Sequence, residues 1–246
     1  MKFNHLDENK FVWECYRSPT SHLVYFAHRK CATCTYIALL TQLNWYPCKS
    51  TDIIWDNDLV FAHIKNPLVK HRKGIVEVVA AFDLIDLVMQ QPDLQRLLVT
   101  ADRFDVHTCT IQRFFGHNAL KVKWIPIDTD LDHKKETVDL IETYDPPIAE
   151  HVKQDFFSNP EANKNPSSHQ EVALYEKLSA LPVTPLNAYY LDFDQCLYDY
   201  VTKKNFEPPN YDLRILQLKN LGHDQISAEH IADDEVANQE FLNWKF

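Results

Sequence analysis

Two kinds of apolar run organise this chain. Residues 22–27 and 59–64 are almost continuously apolar and only a few residues long, which predicts short strands buried on both faces, as in a parallel sheet. Residues 121–127 predict a further strand, with Pro126 near its end or at a sheet edge. Elsewhere the apolar positions follow the helical period. A helix is predicted over 34–43, striped by Ile37, Leu40 and Leu43. A longer one opens at Asn66-Pro67, where Asn is a good N-cap and Pro suits the first turn. Leu68, Ile75, Val79 and Phe82 line one side of it, and Lys70, Lys73 and Glu77 another. Further helix is predicted over 84–89, 93–101, 133–143, 147–157, 169–180 and 186–201. The first twenty residues read as an irregular lead-in, 159–168 as a polar loop, and the stretch from Gly222 as an acidic tail. Strands separated by helices predict an α/β fold with a parallel sheet.

Composition narrows the picture. The chain has 246 residues, 45% of them hydrophobic, enough for one sizeable core. No apolar run approaches the roughly 18–20 residues that cross a bilayer, and the polar N-terminal residues carry no secretory apolar stretch. A cytoplasmic protein without a membrane partner is the expectation. The formal net charge of −10 argues against general nucleic-acid binding. That charge is uneven: residues 60–76 hold no acid, while Lys65, Lys70, Arg72 and Lys73 cluster there. Such an island reads either as a local anion site or as a solvated helix face.

Chemistry concentrates at the first strand–helix junction. The apolar strand ends in His28, Arg29 and Lys30, then runs through Cys31, Ala32, Thr33, Cys34, Thr35 and Tyr36 into a helix. A strand, a short hydroxyl-bearing turn and a helix N-terminus make an anion cradle, because unsatisfied amides and the positive end of the helix dipole converge there. The chain's three glycines lie at 74, 116 and 222, so this loop has none. A Walker A loop, a dinucleotide fingerprint and a kinase glycine-rich loop all need glycines that are missing here. Cys31 and Cys34 form a lone C-x-x-C, without the second pair a zinc site requires, so no metal site is expected. Packing of small residues under the loop, or thiol redox chemistry, are the readings left open for it.

The second junction, Lys65-Asn66-Pro67 followed by Lys70 and Lys73, ends another strand and opens another helix. In an open parallel sheet both junctions lie at the carboxyl edge, where ligands bind. A ligand with two separated phosphates would use both.

These two junctions together resemble the sulfotransferase superfamily that uses 3′-phosphoadenosine 5′-phosphosulfate (PAPS), in particular its carbohydrate-type members. In that family a Lys leading a small-residue, hydroxyl-rich turn holds the 5′-phosphosulfate, matched here by residues 29–35. The second junction clamps the 3′-phosphate. It usually reads Arg, Asp or Asn, Pro, a basic residue three positions on and a Ser three further; here Lys65 replaces the Arg and Lys73 the Ser. Fainter likenesses follow in the same order: Asp105, His107 and Gln112 resemble the His–Gln segment, residues 121–128 the next strand, 163–168 the loop that closes over the nucleotide, and 189–198 the C-terminal Tyr/Asp-rich helix.

The resemblance implies a three-layer, P-loop-like fold with a central parallel sheet flanked by helices and a helical C-terminal half. It would be a single domain: a lead-in at 1–21, a nucleotide-binding core at 22–128, a helical part at 129–221 and a tail at 222–246. It also implies transfer of a sulfuryl group from PAPS to a hydroxyl or amine of a small-molecule or glycan acceptor, leaving 3′-phosphoadenosine 5′-phosphate (PAP), with no metal. Lys30 would neutralise the bridging oxygen, and His107, or else Glu77 or Asp105, would take the acceptor's proton. Arg29 through Tyr36, Lys65, Lys73, Asn165 and Ser167 would bind the donor, and Gln112 would orient the acceptor. Glu77 is also placed to pair with Lys73 along the helix, and His28 and His63 to pack beside the junctions. A nucleotide or small-molecule kinase and a non-catalytic nucleotide- or phosphopeptide-binding module are the alternatives.

Overall fold

The computed structural model describes residues 14–28, 30–94, 97–98, 110–111, 115–129, 132–158, 168–182 and 185–203. Their sheet has five strands: β1 (Glu14–Arg17), β2 (Leu23–Phe26), β3 (Tyr46–Lys49), β4 (Leu59–Ile64) and β5 (Lys123–Pro126). The spatial order is β3-β1-β2-β4-β5. Strands β2, β4 and β5 are parallel, with Tyr25 opposite Phe61 and Ile64 opposite Pro126. β1 runs antiparallel to both β2 and β3, so the sheet is mixed rather than all-parallel.

Two of these strands correct the sequence reading. β1 lies in the stretch expected to be irregular, and β3 follows directly on the first helix. β3 is an edge strand, which is where the missing amide of Pro47 does no harm to a ladder. Arg17 holds β1 to the turn before β4, donating from Nη1 and Nη2 to the two Asp58 carboxylate oxygens at 2.7 and 2.8 Å.

Side chains of the parallel strands alternate between two cores. Tyr25, Phe61 and Ile125 face α1 (Thr33–Gln42), together with Val138 and Ile141 on the helix His133–Tyr144 and Phe156 on the helix Glu150–Ser158. Val24, Phe26, Val60, Ala62, Ile64 and Trp124 point the other way, against Ile111, Phe115 and Leu197. Both faces are covered, which is why these strands read as unbroken apolar runs. A third cluster joins α2 (Pro67–Ala81) and α3 (Ile85–Met89) to the helix His169–Ala180, through Ile75, Val79, Val88, Leu174 and Leu178. Among the described residues the later helices are, in chain order, α4 (His133–Tyr144), α5 (Glu150–Ser158), α6 (His169–Ala180) and α7 (Pro185–Lys203). Among the described residues no helix is long and apolar enough to cross a membrane.

Local chemistry explains the helix starts. Asn66 Oδ1 accepts from the amides of Leu68 and Val69 at 3.1 and 3.2 Å, with Pro67 in the first turn of α2. Ser168 and Glu171 form a capping box at α6. The buried stripe of α1 is Tyr36, Leu39 and Leu40, while Ile37 is only half-buried. The stripe is therefore rotated from the expected one and begins with an aromatic residue.

Candidate functional site

The chain leaves β2 through α1 towards β3 on one side, and leaves β4 towards β5 on the other. The carboxyl ends of β2 and β4, which are neighbours, thus flank a fork in the connectivity, the place where open α/β sheets bind ligands. Both cation-bearing junctions sit at this fork: Lys30 follows β2 and Lys65 follows β4.

His28 joins the two strand ends. Its Nδ1 lies 3.1 Å from the carbonyl oxygen of His63. A carbonyl only accepts, so Nδ1 carries the hydrogen. Burial first, and then the charge of Lys70, hold the His28 imidazole well below its ordinary pKa. The Cys31 sulfur lies 3.5 Å from the same nitrogen. Burial pushes the Cys31 thiol up to about 12, against the opposing pull of Lys70 and Lys65. A thiol held protonated is a poor nucleophile, so the buried Cys31 does not supply the thiolate that redox exchange uses, while Cys34 is exposed on the first turn of α1.

The first loop is strained. Lys30 and Ala32 both take left-handed backbone conformations, with φ of 65° and 56°. Each costs about 1–2 kcal/mol for a residue with a Cβ. The Thr33 hydroxyl, buried, donates to the His28 carbonyl at 2.6 Å and so braces the loop from beneath instead of facing a ligand. The amides of Thr35 and Tyr36 close onto the Ala32 carbonyl at 3.0 and 3.4 Å. The first-turn amides without an acceptor inside the helix are therefore those of Thr33 and Cys34, a shorter set than expected. Tyr36 also departs from its expected place: its ring is buried, stacked on His63 at 3.5 Å between centroids, with its hydroxyl against His133 Nδ1. His63 itself reaches Thr137 Oγ1 at 2.9 Å, and burial keeps its imidazole well below the ordinary value.

At the second junction Lys65 is half-buried and Lys73 exposed. Burial, and then the Lys73 ammonium close beside it, hold the Lys65 amine below the ordinary lysine value. Two ammonium groups therefore stand close together, one of them partly desolvated. The island around them is not a solvated helix face. Lys70 is 3% exposed and lies near His28 and Cys31, between the junctions. Arg72 is buried as well, donating from Nη2 to the Leu181 carbonyl at 3.1 Å, which takes it out of the site.

Glu77 does not pair with Lys73. It pairs with Lys30, linking α2 to the first junction, and Lys73 instead stands 5.9 Å above the ring of Tyr175. Asp128, just beyond β5, accepts the amide of Asn66 at 2.7 Å and the hydroxyl of Tyr198 on α7 at 2.9 Å. Burial, then Asp128, raises the Tyr198 pKa and keeps that hydroxyl a donor. Lys70 stands in the cationic island of the second junction but, like Asp128 and Tyr198, is not among the donor-binding residues the sequence suggests. The signal for Lys70 was its position three residues after Pro67, and for the other two the faint likenesses at 121–128 and 189–198.

Arg29, Asp105, His107, Gln112, Asn165 and Ser167 lie outside the described residues. The chain matches no family model, no curated protein and no solved structure.

Proposed function

We propose that the fork between β2 and β4 binds a nucleotide carrying two separated anionic groups, and that the protein transfers a sulfuryl group from PAPS to an acceptor hydroxyl or amine. In finer detail the proposal is a P-loop-like sulfotransferase core. The observation that carries it is the pairing of junctions on neighbouring parallel strands: Lys30 in a strained cradle after β2, and the facing Lys65 and Lys73 after β4. The 3′-phosphate rests between Lys65 and Lys73, and the 5′-phosphosulfate rests on Lys30 and the first-turn amides of α1.

In the reaction the bond from sulfur to the bridging oxygen breaks, and a bond from the acceptor oxygen or nitrogen to sulfur forms. Lys30 neutralises the charge that grows on the bridging oxygen. The acceptor's proton passes to a base, for which Glu77, paired with Lys30, and His107 are the two residues proposed. The Lys30–Glu77 pair favours one second reading: a nucleotide-binding module in which Glu77 quenches Lys30 and no transfer occurs.

A thermal-shift comparison of PAP, AMP and ATP tests the ligand class. PAP alone should raise the melting temperature substantially; equal shifts with all three would overturn the two-anion reading. Lys30→Ala then separates the two readings. Transfer by the unaltered protein that is lost in Lys30→Ala, with PAP still held, more weakly, through Lys65 and Lys73, supports catalysis, whereas binding without any transfer by the unaltered protein supports the module.

A further inference from the structure

Away from the fork, two cysteines face each other across the antiparallel pair β1·β3. Cys15 and Cys48 are direct partners in the register. Directly opposed residues in antiparallel strands have Cα atoms about 4.5–5.5 Å apart, inside the roughly 4.4–6.8 Å span of disulfides. Both side chains lie on the same face of the sheet, Cys15 within the Val24–Phe26 core and Cys48 packed against it. Cys15 is wholly buried, while Cys48 is partly exposed on an edge strand, open to a small reagent. Both are free thiols.

We propose that Cys15 and Cys48 form a peroxide-reactive pair, in which Cys48 is the attacked thiol and Cys15 the resolving one, closing a disulfide that locks the edge strand to β1. The two thiols are unequal in the sense this requires. The hydrogen bond from the Cys15 thiol, with help from the Arg17 charge, brings Cys48 down to about 7, while the same contact and burial push Cys15 up.

The chemistry balances with hydrogen peroxide as oxidant. The Cys48 thiolate attacks one peroxide oxygen; the O–O bond breaks, hydroxide leaves, and the sulfur becomes a sulfenic acid. Cys15 sulfur then attacks that sulfur, its proton goes to the departing oxygen, and water leaves as the S–S bond forms. Two thiols are oxidised and one peroxide is reduced to two waters. This inference is independent of the anion site.

The reduced full-length protein treated with hydrogen peroxide should lose two of its six thiols and two hydrogens of mass. Peptide fragmentation should place the bond between Cys15 and Cys48. In Cys15→Ser, Cys48 should stop at a sulfenic acid captured by dimedone; in Cys48→Ser, Cys15 should stay reduced. A bond from Cys48 to Cys31 or Cys34, or thiol loss that spares Cys15, would overturn the proposal. Peptide mapping of the unaltered protein decides the matter even where a variant fails to fold.

Discussion

The carboxylate of Glu77, nearly three turns along α2, closes an ion pair on the ammonium of Lys30 in the strained loop after β2. The pair ties the first junction to the helix that opens from the second. It also means that an anion entering the cradle competes with a carboxylate already there.

That competition predicts a gain. Glu77→Gln removes the rival charge, and a pair this exposed is worth about 0.2–1 kcal/mol, so PAP should bind about 1.4-fold to fivefold more tightly. Calorimetric titration of PAP into both proteins measures it. Weaker binding by the variant would mean that Glu77 orients Lys30 instead of quenching it.

Lys73 should discriminate between nucleotides. A hydrogen bond to a charged group is worth about 1.5–3 kcal/mol, so Lys73→Ala should weaken PAP about tenfold to a hundredfold and leave AMP nearly unchanged. With Lys73 present, PAP affinity should decline as pH climbs through the lowered Lys65 pKa, earlier than for a free lysine at about 10.4. Equal losses for the two nucleotides would remove Lys73 from the 3′-phosphate.

Strain in the cradle has a mutational signature. Ala→Gly in an ordinary helix costs about 1 kcal/mol. At Ala32, where φ is 56°, glycine relieves the left-handed penalty and gives back part of the gain as chain entropy. Ala32→Gly should therefore be stabilising by up to about 1 kcal/mol in urea unfolding. A loss of the ordinary size would show that the loop bears no such strain.

The buried imidazoles set an acid limit. His28 and His63 are held neutral, their folded pKa values well below the unfolded value of about 6.5. The folded state then binds fewer protons than the unfolded one. The stability these groups contribute is present above about pH 6.5 and is lost as pH falls below it. Urea unfolding at pH 7.5 and pH 5.0 should show this loss, and His63→Gln, which keeps a partner for Thr137, should flatten it. An unchanged slope in the variant would place the acid sensitivity elsewhere.

Legibility followed physical cause. β4 and the start of α2 were readable because a two-faced buried strand and an Asn-Pro cap each have a local signature. β1 and β3 were not. Glu14-Cys15-Tyr16-Arg17 has no period, and Tyr46-Pro47 reads as a turn until a sheet edge makes room for proline. At the site, charge was readable and pairing was not. Helical spacing favoured Glu77 with Lys73, and only the folded loop brings Lys30 within reach. Nor does sequence separate a buried lysine such as Lys70 from an exposed one such as Lys73, since both stand in the same run of cations.

Asp128 and Asp194 have a consequence for how the molecule divides. Tyr198 reaches back to Asp128, and both carboxylate oxygens of Asp194 receive the Ile111 amide at 2.8 Å. Helix α7 is thus bolted to the strand-bearing half at two points. A fragment ending at residue 128 would keep all five strands and every cation of the fork, yet strip Asp128 of its phenol and leave the Ile111 amide without an acceptor. Cutting the chain there would therefore cost the strand-bearing half contacts that only α7 supplies.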